Sequence, residues 1–254
     1  MSIKTAVLNG VFTLEIARPE KKNAITIDMY QAMADGLKAA QADPAVRSVL
    51  IVGQPGIFTS GNDLEDFMKR PPSGMDSPVF AFMQALIGCD KPVVAAVTGA
   101  AIGIGTTLLL HCDLVYVADE SRLAMPFVSL GLVPEFASSL LGPQLLGRVK
   151  AAEKILLGDP FTAAEAVELG IANAVLPSGE VALHARRVAE RFNGLPPGAV
   201  RETKKLLRRA GAEATLATIQ AEAAIFGERL ASPEAREAFS AFFQKRKPDF
   251  SQFS

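Results

Sequence analysis

Glu135 is the one acid in a long, mostly apolar stretch, Met125-Pro126-Phe127-Val128-Ser129-Leu130-Gly131-Leu132-Val133-Pro134-Glu135-Phe136-Ala137-Ser138-Ser139-Leu140-Leu141. Pro134 suits the first turn of a helix, which would put Glu135 at a helix N-terminus. Among Leu132, Val133 and Phe136 its carboxyl would be poorly solvated. Desolvation raises a carboxyl pKa above its reference of about 4.3 and makes a better proton acceptor. A helix N-terminus acts in the opposite sense. Taken alone, the stretch is better read as an exposed acid at a helix start.

Two glycine-bearing turns suggest a second kind of chemistry. Ser60-Gly61-Asn62-Asp63 and Gly103-Ile104-Gly105 each follow an apolar strand and precede a helix. Paired backbone N–H groups at such turns can hold negative charge developing on a carbonyl oxygen. For either turn alone, a tight bend that needs glycine is the better reading.

Other chemistries find little support. Gly103 and Gly105 follow the strand Val93–Val97, and Asp119-Glu120 ends the next one, which invites a dinucleotide-binding reading. Yet the glycines lie several residues past the strand, and the third glycine position of G-x-G-x-x-G is Leu108. Neither a G-x-S-x-G elbow nor a phosphate-binding G-x-x-x-x-G-K-[ST] occurs. His111 and His184 have no ligand-spaced acid or cysteine nearby, so no metal site is expected. His111 reads as a core or interface residue and His184 as a helix-surface one. The run Arg201, Lys204, Lys205, Arg208, Arg209 reads as an ordinary basic helix face.

The elements that must position these groups fall into two halves. Thr5–Leu8, Asn9-Gly10 and Val11–Ile16 make a hairpin. Ile27, Tyr30, Met33, Ala34 and Leu37 recur at helical spacing. Strands are expected at Val46–Val52, Val93–Val97, Leu114–Ala118 and Arg122–Ala124, and helices at Leu64–Met68, Val79–Ile87 and Thr106–Cys112. Arg70–Pro78, rich in Pro, Ser and Gly, reads as a mobile surface segment. Alternation of this kind predicts an α/β core with parallel strands and right-handed crossovers. From Ser138 the chain is helical almost throughout, with Asn193-Gly194-Leu195-Pro196-Pro197-Gly198 as the clearest joint.

The 254 residues are 49% hydrophobic, enough for a sizeable core, and carry a net charge of −1 with no long basic run. Nucleic acid and anionic membrane are therefore not expected partners. Cys89 and Cys112 sit in apolar surroundings and read as buried thiols of a reducing compartment. No apolar run reaches membrane-span length and no secretory signal is visible, so a cytoplasmic location is expected.

Phe58-Thr59-Ser60-Gly61-Asn62-Asp63-Leu64, Thr98-Gly99-Ala100-Ala101-Ile102-Gly103-Ile104-Gly105 and the stretch from Pro126 to Ser139 occur in an order that resembles the crotonase, or enoyl-CoA hydratase/isomerase, superfamily. Arg18-Pro19 with Asn23-Ala24, and Ala163-Ala164-Glu165-Ala166 with Gly170, extend the resemblance over essentially the whole chain. It implies an α/β spiral of β-β-α units over residues 1–195 and a helical trimerisation region over 196–254. Trimers, or hexamers formed as dimers of trimers, are the implied assemblies. The implied substrate is an acyl-CoA thioester, with no cofactor because CoA is part of the substrate.

By position, the resemblance assigns an oxyanion hole to the N–H groups of Asn62 and Ile104. It implies CoA contacts from Ser60, Gly61, Asn62, Asp63, Leu64 and Gly103, with Lys21, Lys22 and Lys245 as candidates near the phosphates. Phe127, Leu132 and Phe136 would line the acyl pocket and exclude water. Hydratases of the superfamily carry two glutamates, and those positions here are Thr107 and Phe127, neither of which can be a base. Val133-Pro134-Glu135-Phe136-Ala137-Ser138-Ser139 instead resembles the Δ3,Δ2-enoyl-CoA isomerase branch, which needs one base. With no second carboxylate expected beside it, the resemblance implies Glu135 as that base. The remaining alternatives are another crotonase-type acyl-CoA enzyme (a hydratase or other lyase or hydrolase) and a non-catalytic acyl-CoA-binding member.

Overall fold

A computed structural model describes residues 2–72, 74 and 76–253. Strands β1 (Ile3–Leu8) and β2 (Val11–Ile16) pair antiparallel through Asn9-Gly10, both with positive φ, as a tight hairpin turn requires. Helix α1 (Ile27–Ala42) is capped by the Thr26 hydroxyl and buries Tyr30, Met33, Ala34 and Leu37, the residues whose spacing predicted it.

Three β-β-α units then follow. In each, a first strand joins a large sheet and a second, shorter strand joins a small one. The pairs are β3 (Ser48–Val52) with β4 (Ile57–Thr59), β5 (Val93–Val97) with β6 (Ala100–Ile102), and β7 (Leu114–Ala118) with β8 (Arg122–Ala124). Helices α2 (Leu64–Lys69) and α3 (Pro78–Gly88) follow the first pair, and α4 (Ile104–Thr107) follows the second. The expected helix over 106–112 thus begins earlier and tightens into a 3₁₀ turn at Leu108–His111. Ser73 and Met75, within the segment expected to be mobile, lie outside the described residues.

The large sheet has the order β1-β2-β3-β5-β7-β10, where β10 is Ala174–Leu176, and is parallel beyond the hairpin. Its inner strands are buried on both faces, which explains their uninterrupted apolar sequences. Val49, Ile51, Val93, Ala95 and Val97 face the main core, while Leu50, Val94 and Ala96 face helix α8 (Val181–Arg191). The small sheet has the order β4-β6-β8-β9, with β9 at Phe161–Thr162.

The second half is helical. It comprises α5 (Ser138–Leu146), α6 (Arg148–Ala152), α7 (Ala163–Glu168), α8, α9 (Pro197–Arg209), α10 (Ala212–Leu230) and α11 (Pro233–Phe243). The basic face of α9 differs from expectation. Lys204 is buried, pairs with Asp113 at 2.6 Å and donates to the Lys91 carbonyl at 2.6 Å. Arg208 reaches the same Asp113 and the carbonyl of His111. Two of its five basic residues therefore clasp the helix to the segments flanking β5 and β7, because buried charges persist only when paired. Among the described residues, no helix is long and apolar enough to cross a membrane.

Candidate active site

The two glycine turns meet because β4 and β6 are parallel neighbours, with Thr59 opposite Ala101. Both strands end at the same edge of the small sheet, so Ser60–Asp63 lies beside Gly103–Gly105. The approach is close. Gly61 has φ +92°, and a Cβ there would lie 2.9 Å from the Ile102 carbonyl oxygen. A Cβ on Gly105 would lie 2.5 Å from the Thr59 methyl. Glycine is needed at both points for space, and at Gly61 for conformation as well.

The backbone around the turns is hydrogen-bonded except where they face inward. Gly61 N donates to the Thr59 hydroxyl, Asp63 N to the Ile25 carbonyl and Gly103 N to the Ala124 carbonyl. Among the described residues, the amides of Asn62 and Ile104 have no intramolecular acceptor. Buried amides are nearly always paired, so two free donors lining one cleft are able to receive a ligand oxygen.

Side chains lock the first turn from behind. Asn23, fully buried, donates to the carbonyls of Ile16, Ile57 and Phe58 and accepts from Arg18 N. Arg18 reaches Asp63 at 2.7 Å, and Asp63 also caps α2. These bonds give a physical reason for Arg18, Asn23 and Asp63 in one constellation. Tyr30 OH donates to the Asn62 side-chain oxygen at 2.5 Å.

Glu135 lines a small cavity with Asn62 and is only 8% exposed. It does not open a helix. Phe136 and Ala137 take left-handed φ values of +60° and +57°, and α5 starts after them at Ser138. Helix-N-terminal stabilisation of its charge is thus removed, and burial decides its pKa, which is pushed up to about 8. The Thr107 hydroxyl donates to Oε1 of Glu135 at 2.5 Å and opposes that rise, while the charge of Glu222 adds to it.

Non-glycine residues in the left-handed region cost about 1–3 kcal/mol each and persist only where surrounding contacts impose them. Here the contacts are explicit. His111 stacks on the Phe136 ring at 3.9 Å and its Nε2 donates to the Phe136 carbonyl at 2.7 Å. That partner is an acceptor, so Nε2 carries the hydrogen. Burial holds the His111 pKa down at about 4, so the ring is neutral at pH 7. Glu222, from α10, accepts from Ala137 N at 2.6 Å, from Ser139 N at 2.9 Å and from the Ser139 hydroxyl.

Glu222 corrects the expectation of a lone carboxylate. It is 6% exposed and lines the same cavity of about 40 Å³ as Glu135, with Asn62, Phe67, Phe136, Ile219 and Phe226 among the other walls. The signal was present in the sequence: Thr215, Ile219 and Glu222 share the buried face of α10, and an acid on such a face is unusual.

The cavity joins a larger cleft of about 650 Å³ at Asn62, Phe67 and Phe226. Ser60, Gly61, Asn62, Asp63, Leu64, Gly103 and Ile104 all line this cleft, as do Phe127, Leu132, Lys21 and Lys22. Phe136 lines the inner cavity instead. Lys245 lines neither. It sits past the end of α11 in a left-handed conformation, although Phe242 and Phe243 of that helix reach the cleft. The segment expected to serve trimer contacts therefore also builds the site, through α10 and α11. Neither cysteine contributes, and burial pushes the Cys112 thiol up to about 12.

Known proteins share both the sequence pattern and this architecture. The chain matches the enoyl-CoA hydratase/isomerase family over residues 7–253. It is 33% identical over 245 residues to human enoyl-CoA delta isomerase 2, covering 94% of this chain and 62% of that protein's length. The chain therefore spans less than two thirds of that relative. A probable enoyl-CoA hydratase of Bacillus subtilis is 31% identical, with 98% of each chain covered. The solved structure of Pseudomonas aeruginosa OdaA superposes with a TM-score of 0.93 at 53% identity, covering 95% of this chain and 98% of that one. The chain belongs to the enoyl-CoA hydratase/isomerase family and has its crotonase-type α/β fold.

Proposed function

We propose that the protein is a Δ3,Δ2-enoyl-CoA isomerase that moves the double bond of a 3-enoyl-CoA to trans-2-enoyl-CoA, a step in fatty acid β-oxidation. The observation that carries this reading is Glu135, a buried carboxylate of raised pKa that shares a cavity with Asn62 and has Thr107 rather than an acid beside it. A base whose pKa lies near the working pH both accepts and returns a proton readily.

In this mechanism the thioester oxygen takes hydrogen bonds from Asn62 N–H and Ile104 N–H. Ionised Glu135 removes a proton from C2. The electrons left behind delocalise into a dienolate whose charge rests on the thioester oxygen, where the two amides stabilise it. The same carboxyl then delivers the proton to C4 and is ionised again. Thr107 holds Oε1, which leaves Oε2 to carry the proton. Phe127, Leu132 and Phe136 keep water out. Lys21 and Lys22, the basic side chains of the cleft walls, would meet the CoA phosphates. Subunits would associate as trimers or pairs of trimers, a reading supported by the exposed apolar side chains Val149, Leu156, Leu157, Leu206 and Leu207.

One observation favours a second reading, hydration of a 2-enoyl-CoA: Glu222 places a second carboxylate in the cavity. The deciding experiment is a coupled assay with cis- and trans-3-enoyl-CoA and a 2-enoyl-CoA control. Turnover of the first pair without water addition to the third is expected. Hydration of the 2-enoyl-CoA without isomerisation would overturn the proposal.

A further inference from the structure

Glu222 has no role in the single-base reaction just described, yet it is the best-anchored acid of the site. Its contacts divide by oxygen. Oε1 accepts from both the amide and the hydroxyl of Ser139, and Oε2 accepts from the amide of Ala137. All of these partners donate, which is the set an ionised carboxylate takes. They engage both oxygens and fix the carboxylate against the turn. The donors belong to the turn that holds Phe136 and Ala137 at positive φ and carries Glu135. The two acids line one small, largely apolar cavity.

We propose that Glu222 is a positioning residue, anchoring the turn that carries Glu135 and biasing the charge of that base across the cavity they share. It delivers no proton itself. An anion fixed on α10 makes a second negative charge opposite it unfavourable, so Glu135 holds its proton to higher pH. This is the direction in which the Glu222 charge moves the Glu135 pKa. The other groups facing Glu135 do not supply such a field. Thr107, from α4, donates a hydrogen bond. Tyr30, from α1, is neutral because burial and the Glu135 charge hold its phenol protonated. His111, behind Phe136, is neutral at pH 7. Helix α3 contributes Phe80 and Met83 to the cavity. Burial pushes the Glu222 pKa up as well, against which its bonds from Ser139 and Ala137 act.

The role of Glu135 as base rests on the proposed isomerase reading, and the test separates the two. The intact protein, labelled with carboxyl-¹³C glutamate, is titrated by NMR in the native form and as Glu222→Gln and Glu222→Asp. Glu135→Gln identifies the Glu135 signal. This readout needs no turnover, so a protein that fails to isomerise 3-enoyl-CoA still reports on Glu222. Removing the charge should lower the Glu135 midpoint by about one pH unit. Glu222→Asp keeps the charge and should stay near the native midpoint. Isomerisation rates should follow, with the acid limb of the pH profile moving down by the same amount in Glu222→Gln and a lower maximal rate from the loosened turn. A Glu135 midpoint unchanged in Glu222→Gln would overturn the proposal. Should that variant fail to fold, a Glu222→Asp midpoint lowered by the full unit would overturn it, and one near the native value would support it.

Discussion

The wall that carries the Asn62 and Ile104 amides is main chain, set by the register of two parallel strands. The wall that carries Glu135 is a strained turn, held by the side chains of Thr107, His111 and Glu222, each distant from that turn in sequence. The first wall presents main-chain donors, braced from behind by Arg18, Asn23 and Asp63. The second presents a side chain, set by other side chains. A developing oxyanion needs fixed dipoles, which backbone supplies without reorganisation. A base needs a tuned proton affinity, which only the surrounding side chains can set.

The largest expected effect comes from removing the proposed base. Glu135→Gln should reduce isomerisation by about 10²–10⁴-fold, while calorimetry shows CoA-ester binding retained. The same variant should be more stable than the native protein at neutral pH. The Glu135 pKa is raised in the folded state to about 8, so its favourable contribution is complete at acid pH, below the unfolded value near 4.5. That contribution is lost as pH rises toward 8, by about 1.4 kcal/mol per pH unit. Gln carries no such penalty. Its stabilising effect in thermal melts should be largest above pH 7 and vanish near pH 4.5.

Breaking the backbone wall requires a glycine. Gly61→Ala brings a methyl against the Ile102 carbonyl at a φ of +92° and should displace the Asn62 amide. A loss of about 10²-fold in kcat is expected, the scale of one missing oxyanion donor. Thr107→Val tests the other wall more gently. Without its hydroxyl the Glu135 pKa rises further, so the acid limb of the rate profile should move to higher pH. Activity at pH 7 should then fall by roughly tenfold for each unit of that movement. The smallest effect on rate belongs to Asn62→Ala, which leaves the amide in place. Its kcat should stay within about threefold, while melting shows about 1–3 kcal/mol lost because buried Tyr30 OH has no acceptor.

The same contrast explains what could be read from the chain. Helix α1 was legible because apolar residues recur along one face over several turns. The two glycine turns were legible because only glycine tolerates Gly61's conformation and Gly105's close neighbour. Strands β4, β6, β9 and β10 were not anticipated. At two or three residues each, they are too short to show a period-two pattern and exist through their sheet partners. Glu135 stood out as a candidate base, but its setting did not. Pro134 suggested a helix start, whereas His111 and Glu222 impose a left-handed turn that no local propensity favours. Glu222 was passed over because an acid in a helix defaults to the solvent face. Its register with Thr215 and Ile219 places it inside.

The central claim is that buried Glu135, at raised proton affinity, moves the proton. The most direct measurement is the pH dependence of kcat/KM for 3-enoyl-CoA isomerisation, from about pH 5 to about pH 10, in the native protein and Glu135→Gln. An acid limb with its midpoint at about 8, and no such limb in the residual activity of the variant, is the predicted result. A native limb near 4.5, or full activity in Glu135→Gln, would contradict it.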